Sequence, residues 1–266
     1  MNMTASYASC AETMLSHFVK AFWQTMGTPS YGVEVILPKG VVEIIFSFDD
    51  PVTLSLPGKN PSPSTPRCFI SGLNDTTLHL HAPTQQNFFG VELKAAGIKK
   101  LLNTPAGEFA NNITDLEMIS KEFERLWHWL AEADSFDTRV EIAQQWMLQK
   151  SFSFDEREIA ISDFLNTDTE YSGVTKLASQ FCYSPRQLNR KTRALFGMSS
   201  EAIIAYKRYL QALKLLHNSN ETLTSVGYSC NYFDQAHFIR EFKKYTGITP
   251  GEYRSKKSSQ PGHLFQ

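Results

Sequence analysis

The sequence predicts two domains, an N-terminal α+β domain built on a β-barrel with added helices and an all-α C-terminal domain. Three observations predict it. Short runs rich in β-branched and aromatic residues fill the N-terminal part and are divided by Pro, Gly, Asn and Asp. From Ala95 onward the apolar residues recur at spacings of three and four, the period of a helix. Charge also divides: residues 171–257 carry 14 Lys+Arg against 5 Asp+Glu, a net of +9, and the remainder, with 12 against 22, sums to −10. The overall net charge of −1 therefore hides a basic segment joined to an acidic one, as expected where only one domain meets phosphate.

Taken in chain order, Glu12 to Met26 reads as a short helix or an extended arm. Strands are predicted over Val33–Leu37, Val41–Phe48, Arg67–Gly72, Thr77–His81 and Phe88–Leu93. Pro57 to Pro66 carries four prolines and little apolar content, so it reads as an exposed, poorly ordered loop. Helices are predicted over Ala95–Leu102, Leu116–Leu130 and Asp137–Leu148. In the second of these, Ile119, Phe123, Leu126, Trp127 and Leu130 form one apolar stripe. Ser151–Asp155 is the linker, and Asp155 with Glu158 has the spacing of a capping box. The expected division is a domain over 1–150, a second over 151–257 and a flexible tail over 258–266.

Composition bounds the function. No apolar run approaches the roughly 20 residues that span a bilayer, and the polar start, Met1 to Cys10, lacks a basic region followed by an apolar stretch. A cytoplasmic protein without membrane contact is expected. Cys10, Cys68, Cys182 and Cys230 are scattered with no C-x-x-C pair, which fits reduced thiols rather than a disulfide scaffold or a zinc knuckle.

The C-terminal segment contains a duplication. Arg190 to Ser200 aligns with Arg240 to Pro250 at an offset of 50, with Gly197 and Gly247 each seven residues beyond the arginine. Upstream, Leu177-Ala178 and Val226-Gly227 each open a short helix-turn, with Cys182 and Asn231 in the turns; the second copy has one extra residue between turn and arginine. Two copies are too few for a solenoid, so each is read as a separate helix-turn-helix module. Ser184-Pro185 is an N-cap followed by proline at the first helical position. Asp234 caps the second copy, and the two glycines suit left-handed helix ends. Asn231 tolerates positive φ, whereas Cys182 does so poorly.

Leu188, Thr192 and Leu195 should face inward, leaving Arg186, Asn189, Arg190 and Arg193 on another face. In the second copy Phe238 and Phe242 face inward, with Tyr245 nearby, and leave Gln235, His237, Arg240 and Lys244 outside. Arg pairs bidentately with guanine, and Asn or Gln with adenine. No acid occurs from Ser184 to Phe196. The helix between the copies, Glu201 to His217, has an apolar stripe of Ile204, Leu210, Leu213 and Leu216 beside Ala205 and Ala212, and is read as a rigid spacer.

At this point the chain resembles the AraC/XylS family of transcription regulators. The resemblance rests on Leu177-Ala178, Ser184-Pro185-Arg186-Gln187-Leu188-Asn189-Arg190, Arg208 with Ala212, Leu215 and Leu216, and the ending from Tyr232 through Phe238, Arg240 and Gly247 to Tyr253-Arg254. It implies a double helix-turn-helix entering adjacent major-groove segments, with DNA contacts from Ser184, Arg186, Gln187, Asn189, Arg190, Arg193, Gln235, Ala236, His237, Arg240 and Lys244. It also implies transcription regulation, activation in the sense of contact with RNA polymerase, control by a small-molecule effector or a protein partner, and a homodimer. Leu37-Pro-Lys-Gly40 through Phe46 and Phe89 to Leu93 resemble the β-rich sensor domains of some members, which implies a cupin-like barrel. This sequence departs from the pattern at Gly227, usually Ala, at Asn231 and Cys182, usually Gly, and at Thr192, usually large and apolar. The first unit is therefore expected to be the softer.

An enzyme is not expected, and neither is a cofactor or a metal. The alternative is a metal-dependent cupin-type enzyme, or a DNA-repair protein fused to a DNA-binding domain. His79 and His81 alternate on a strand and are candidates for ligand binding, but the acid that a metal site needs shortly afterwards is missing, with Gln85 and Gln86 in its place. The cysteines offer no cluster for repair chemistry.

Overall fold

The computed structural model describes residues 3–10, 14–49, 51–56, 64–150, 155–167 and 173–266. The strands are β1 (Thr4–Ser9), β2 (Val19–Gly27), β3 (Val33–Ile36), β4 (Val42–Ser47), β5 (Thr53–Ser55), β6 (Cys68–Ser71), β7 (Leu78–His81), β8 (Gln86–Leu93), β9 (Ile113–Asp115) and β10 (His263–Phe265). The helices are α1 (Ala95–Leu102), α2 (Glu122–Ala131), α3 (Phe136–Leu148), α4 (Glu156–Asp163), α5 (Val174–Gln180), α6 (Pro185–Phe196), α7 (Ser200–Asn218), α8 (Leu223–Ser229), α9 (Gln235–Thr246) and α10 (Pro250–Lys256). Every strand in the predicted set is present, followed by the helical C-terminal part.

The strands form two antiparallel sheets, ordered β1-β2-β8-β4-β6-β9 and β10-β3-β7-β5. Their inner faces meet where Trp23, Phe69 and Phe88 of the first oppose Leu54, Leu78 and Leu80 of the second. The expected barrel is not closed. Among the described residues no strand of one sheet pairs with a strand of the other, so β1, β9, β10 and β5 are left as edges. Gly90 lies on the inner face, where a Cβ would fall on the Trp23 indole. Its absence lets that ring lie across β8 while Nε1 donates to Glu43 at 3.0 Å.

Three expectations need correction. The helix or arm over 12–26 is instead a 3-10 turn, Met14–His17, followed by β2 between β1 and β8; residues 11–13 lie outside the described set. Val19, Phe22, Trp23 and Thr25 suit a pleated surface, and long-range pairing decides between the alternatives. The helix predicted from Leu116 begins at Glu122, so Ile119 is excluded from its stripe and is 39% exposed. The tail over 258–266, expected to be flexible, ends in β10, with Leu264 buried and paired to Val35. That strand is also held by His263 Nδ1 against Glu34 at 2.5 Å and by stacking of Phe265 on Tyr31. The proline-rich loop and the linker lie largely outside the described residues, although Thr65 is buried and donates its amide to Val52.

One apolar core runs through both halves of the chain, from Leu15 and Phe22 to Tyr209 and Phe242. Asp155 caps α4, accepting from the amides of Arg157 and Glu158; the Glu158 carboxylate goes to Lys191 at 2.5 Å rather than back to the cap. Helix α7 is stapled to the β-domain. Tyr206 Oη donates to the Asn74 carbonyl at 2.8 Å and accepts from the Gly40 amide at 3.1 Å, and Tyr209 Oη donates to the Pro38 carbonyl at 3.1 Å. The 3-10 turn Ala106–Phe109 meets the end of α6 backbone to backbone, since a Cβ on Gly107 would fall on the Arg193 carbonyl oxygen. Among the described residues no helix is long and apolar enough to cross a membrane.

Removing one partner of a buried hydrogen bond strands the other, at a cost of about 1–3 kcal/mol. Tyr209→Phe keeps the ring and removes the hydroxyl opposite Pro38, so urea denaturation should show a stability loss in that range. An unchanged midpoint and slope would show that the staple contributes nothing.

Candidate nucleic-acid interface

Both modules form from local signals. Ser184 Oγ accepts from the Gln187 amide at 3.3 Å while Gln187 Oε1 accepts from the Ser184 amide at 2.9 Å, a complete capping box ahead of Pro185. Asp234 Oδ1 accepts from the His237 amide at 2.7 Å. Gly197 and Gly247 end α6 and α9 at φ of 71° and 74°, the left-handed turn that glycine adopts without a Cβ clash. The two interhelix turns also match: Cys182 and Asn231 have φ of 56° and 60°, and each following tyrosine amide, of Tyr183 and Tyr232, donates back to the preceding helix, to Ala178 and Gly227.

The buried face is the one the period indicates, with Leu188, Thr192 and Leu195 in the first unit and Phe238, Phe242 and Tyr245 in the second. Arg186, Gln187, Arg190 and Arg193 are exposed on α6, and Gln235, Ala236, Arg240 and Lys244 on α9. Five predicted contacts make hydrogen bonds within the fold: Ser184 and Gln187 in the capping box, Gln235, whose Oε1 accepts from Thr224 Oγ1 at 2.7 Å, and Asn189 and His237. Asn189 is half-buried, and its Oδ1 accepts from the Ser200 amide at 3.1 Å, tying α6 to the start of α7. His237 turns back along its own helix: Nδ1 accepts from the Phe233 amide at 3.4 Å, Nε2 lies 3.8 Å from Glu241, and the ring edge packs on Tyr232. Glu241, an acid on the second recognition helix, also faces Arg208 of α7 at 3.9 Å.

Helix α7, predicted as a simple spacer, buries Tyr206, Lys207 and Tyr209 as well as Ile204, Leu213 and Leu216. Lys207 Nζ donates to the Phe164 carbonyl at 2.6 Å and lies over the Phe164 ring. Sequence reasoning missed these residues because a period identifies one apolar stripe and not a second buried face. Two tyrosines at i and i+3 around a lysine, in a helix taken for a spacer, were the available signal.

A cavity of about 810 Å³ is lined by strands of both sheets and by Leu210, Leu213 and Lys214 of α7. Its apolar wall includes Ile45, Phe69 and Leu80; Lys39, Glu43 and Lys214 contribute charge, and Gln260 and His263 close one side. The Gln86 Oε1 and Asn74 Oδ1 atoms of its wall are buried and have no hydrogen-bond partner within the protein. The structure does not bring His79 or His81 there, because Leu78 and Leu80 take the inward positions of β7. Burial, and then the neighbouring His81, lower the pKa of His79. Among the described residues no group of three or more His, Cys, Asp or Glu could hold a metal. Burial raises the Cys68 thiol and pushes Cys230 up to about 12, opposite to the shift that activates a thiolate.

The fold and these paired, capped helices define a double helix-turn-helix DNA-binding domain. Residues 177–256 match the family described as a helix-turn-helix domain. Residues 11–115 match a domain of unknown function. The arabinose operon regulatory protein of Escherichia coli K12 is 34% identical over 95 residues, 36% of this chain and 32% of that protein. The transcriptional activator RhaS of Escherichia fergusonii is 28% identical over 83 residues, 31% of this chain and 30% of that protein. The chain thus spans about a third of the length of these curated relatives. Among solved structures, ToxT of Vibrio cholerae aligns over 88% of this chain and 97% of its own at 10% identity and a TM-score of 0.48. The DNA-binding domain of AdpA in complex with a target DNA aligns over 38% of this chain and 92% of its own at 25% identity and a TM-score of 0.35. At those scores neither superposition carries an argument.

Two substitutions test the local accounting. A Cβ on Gly227 would sit 3.6 Å from Phe238, an ordinary contact, so Gly227→Ala should stabilise α8 by about 0.5–1 kcal/mol. Cys182→Gly relieves a left-handed residue and should also stabilise, by no more than about 1 kcal/mol once the added freedom of the unfolded chain is counted. Urea midpoints measure both, and a destabilised Gly227→Ala would show that α8 lacks the room described.

Proposed function

We propose that this chain is a one-component transcription regulator, with a C-terminal domain that reads double-stranded DNA and an N-terminal domain that controls it. The observation that carries the proposal is the pair of capped recognition helices with basic, exposed faces at either end of one buried helix. Nineteen residues of α7 span about 28 Å, close to the roughly 34 Å between successive major grooves on one side of a duplex. Arg186, Gln187, Arg190 and Arg193 would contact DNA in the first unit, and Gln235, Ala236, Arg240 and Lys244 in the second. Ser184, Asn189 and His237 serve as positioning residues, given the internal hydrogen bonds they make.

Control is assigned to the cavity, which takes a small-molecule effector. Leu37, Pro38, Lys39 and Asn74 line it, and Pro38 and Asn74 accept the hydrogen bonds of Tyr209 and Tyr206. An occupant that moves those loops acts directly on α7. Activation through RNA polymerase and assembly into a homodimer also belong to the proposal; the similarity to RhaS, a transcriptional activator, supports the first. The division of the chain at 150/151 is proposed on the same basis.

Duplexes enriched from a random pool by the full chain provide the test. Arg186→Ala and Arg240→Ala should each weaken binding to the enriched duplex about 10–100-fold, measured by fluorescence anisotropy. Arg240→Ala should show the larger loss if the first unit is the softer, and equal losses would remove that part. Failure to enrich any sequence would overturn the regulator itself.

A further inference from the structure

The two modules differ at one place that helix packing does not explain. In the first, the left-handed Cys182 is followed by Tyr183 and the N-cap Ser184; in the second, the left-handed Asn231 is followed by Tyr232, Phe233 and the N-cap Asp234. Tyr183 and Tyr232 make the equivalent backbone bond, so Phe233 is the inserted residue. An apolar residue just before an N-cap ordinarily packs on the fourth helical residue as a hydrophobic staple. Here that residue is Phe238, and Tyr232 covers it at a ring separation of 5.0 Å. Phe233 is left 85% exposed.

We propose that Phe233 is a specificity-determining DNA contact that reads a thymine methyl in the major groove. The claim rests on residues 177–256 binding DNA sequence-specifically. Phe233 adjoins the N-terminus of α9, the end of a recognition helix that meets base edges. Gln235, Ala236 and Arg240 are exposed on the same helix, so the ring is continuous with the basic face instead of isolated on neutral surface. The apolar group that a major groove offers is the C5-methyl of thymine, and phenylalanine is among the side chains that contact it. The backbone amide of Phe233 donates to His237, which gives His237 a purpose that does not require it to touch DNA: it fixes the turn that presents the ring.

The test is a cycle between protein and DNA. On a duplex enriched by the full chain, each thymine is replaced in turn by deoxyuridine, which lacks only the methyl, and affinities are measured for the parent protein and for Phe233→Ala. At one thymine the parent should lose about 4-fold, the equivalent of one buried methyl, while Phe233→Ala loses nothing further there; Phe233→Leu should keep part of the effect. Equal losses for both proteins at every thymine would overturn the role of Phe233 and leave DNA binding intact. Absence of any enriched duplex would overturn both.

Discussion

A helix whose tyrosine hydroxyls are buried in a neighbouring domain cannot tilt or rotate without stranding polar groups. Helix α7 is in that position. Ala212 and Leu216 are buried in the apolar core and Leu213 lines the cavity, while Tyr206 and Tyr209 bond to Gly40, Asn74 and Pro38. The orientation of both recognition helices is therefore tied to the loops that bound the cavity. Tyr245, which packs on both Tyr206 and Tyr209, carries the same constraint into α9.

Two further attachments reinforce this one. The backbone contact between Gly107 and the end of α6 holds the first recognition helix from its C-terminal side, leaving the N-terminal half, with Arg186 and Arg190, uncovered. Strand β10 returns the chain from α10 to the edge of the small sheet, and Tyr253 Oη accepts from the Gly262 amide as it turns. A protein built this way changes state by shifting the population of a few discrete packings, because close-packed interfaces do not deform continuously. Any effector must bind one of those packings better than another.

Charge is arranged to the same end. Lys191, on the inner side of α6, is matched by Glu158, and Arg208 of α7 faces Glu241. The inward cations are thereby compensated, and the positive potential is concentrated on the outward arginines, where a polyanion would meet it. The acid on α9 is turned toward the protein, so it detracts little from that face.

Sequence alone determined what depends on neighbours along the chain. Ser184 with Pro185, Asp234, Gly197 and Gly247 announce the ends of the recognition helices, and the three-and-four period separates the inward Leu188 and Phe238 from the outward Arg186 and Arg240. Runs of β-branched and aromatic residues between turn formers marked five of the strands. Tertiary structure decided whatever depends on distant partners. The segment from Val19 becomes a strand beside β8 and the polar Thr4–Ser9 a strand beside β2, each through long-range pairing, and the three-residue β5, β9 and β10 are too short to announce themselves. The second buried face of α7, the diversion of Asn189 and His237 into internal hydrogen bonds, and the outward turn of His79 and His81 follow from contacts between segments that no local period records.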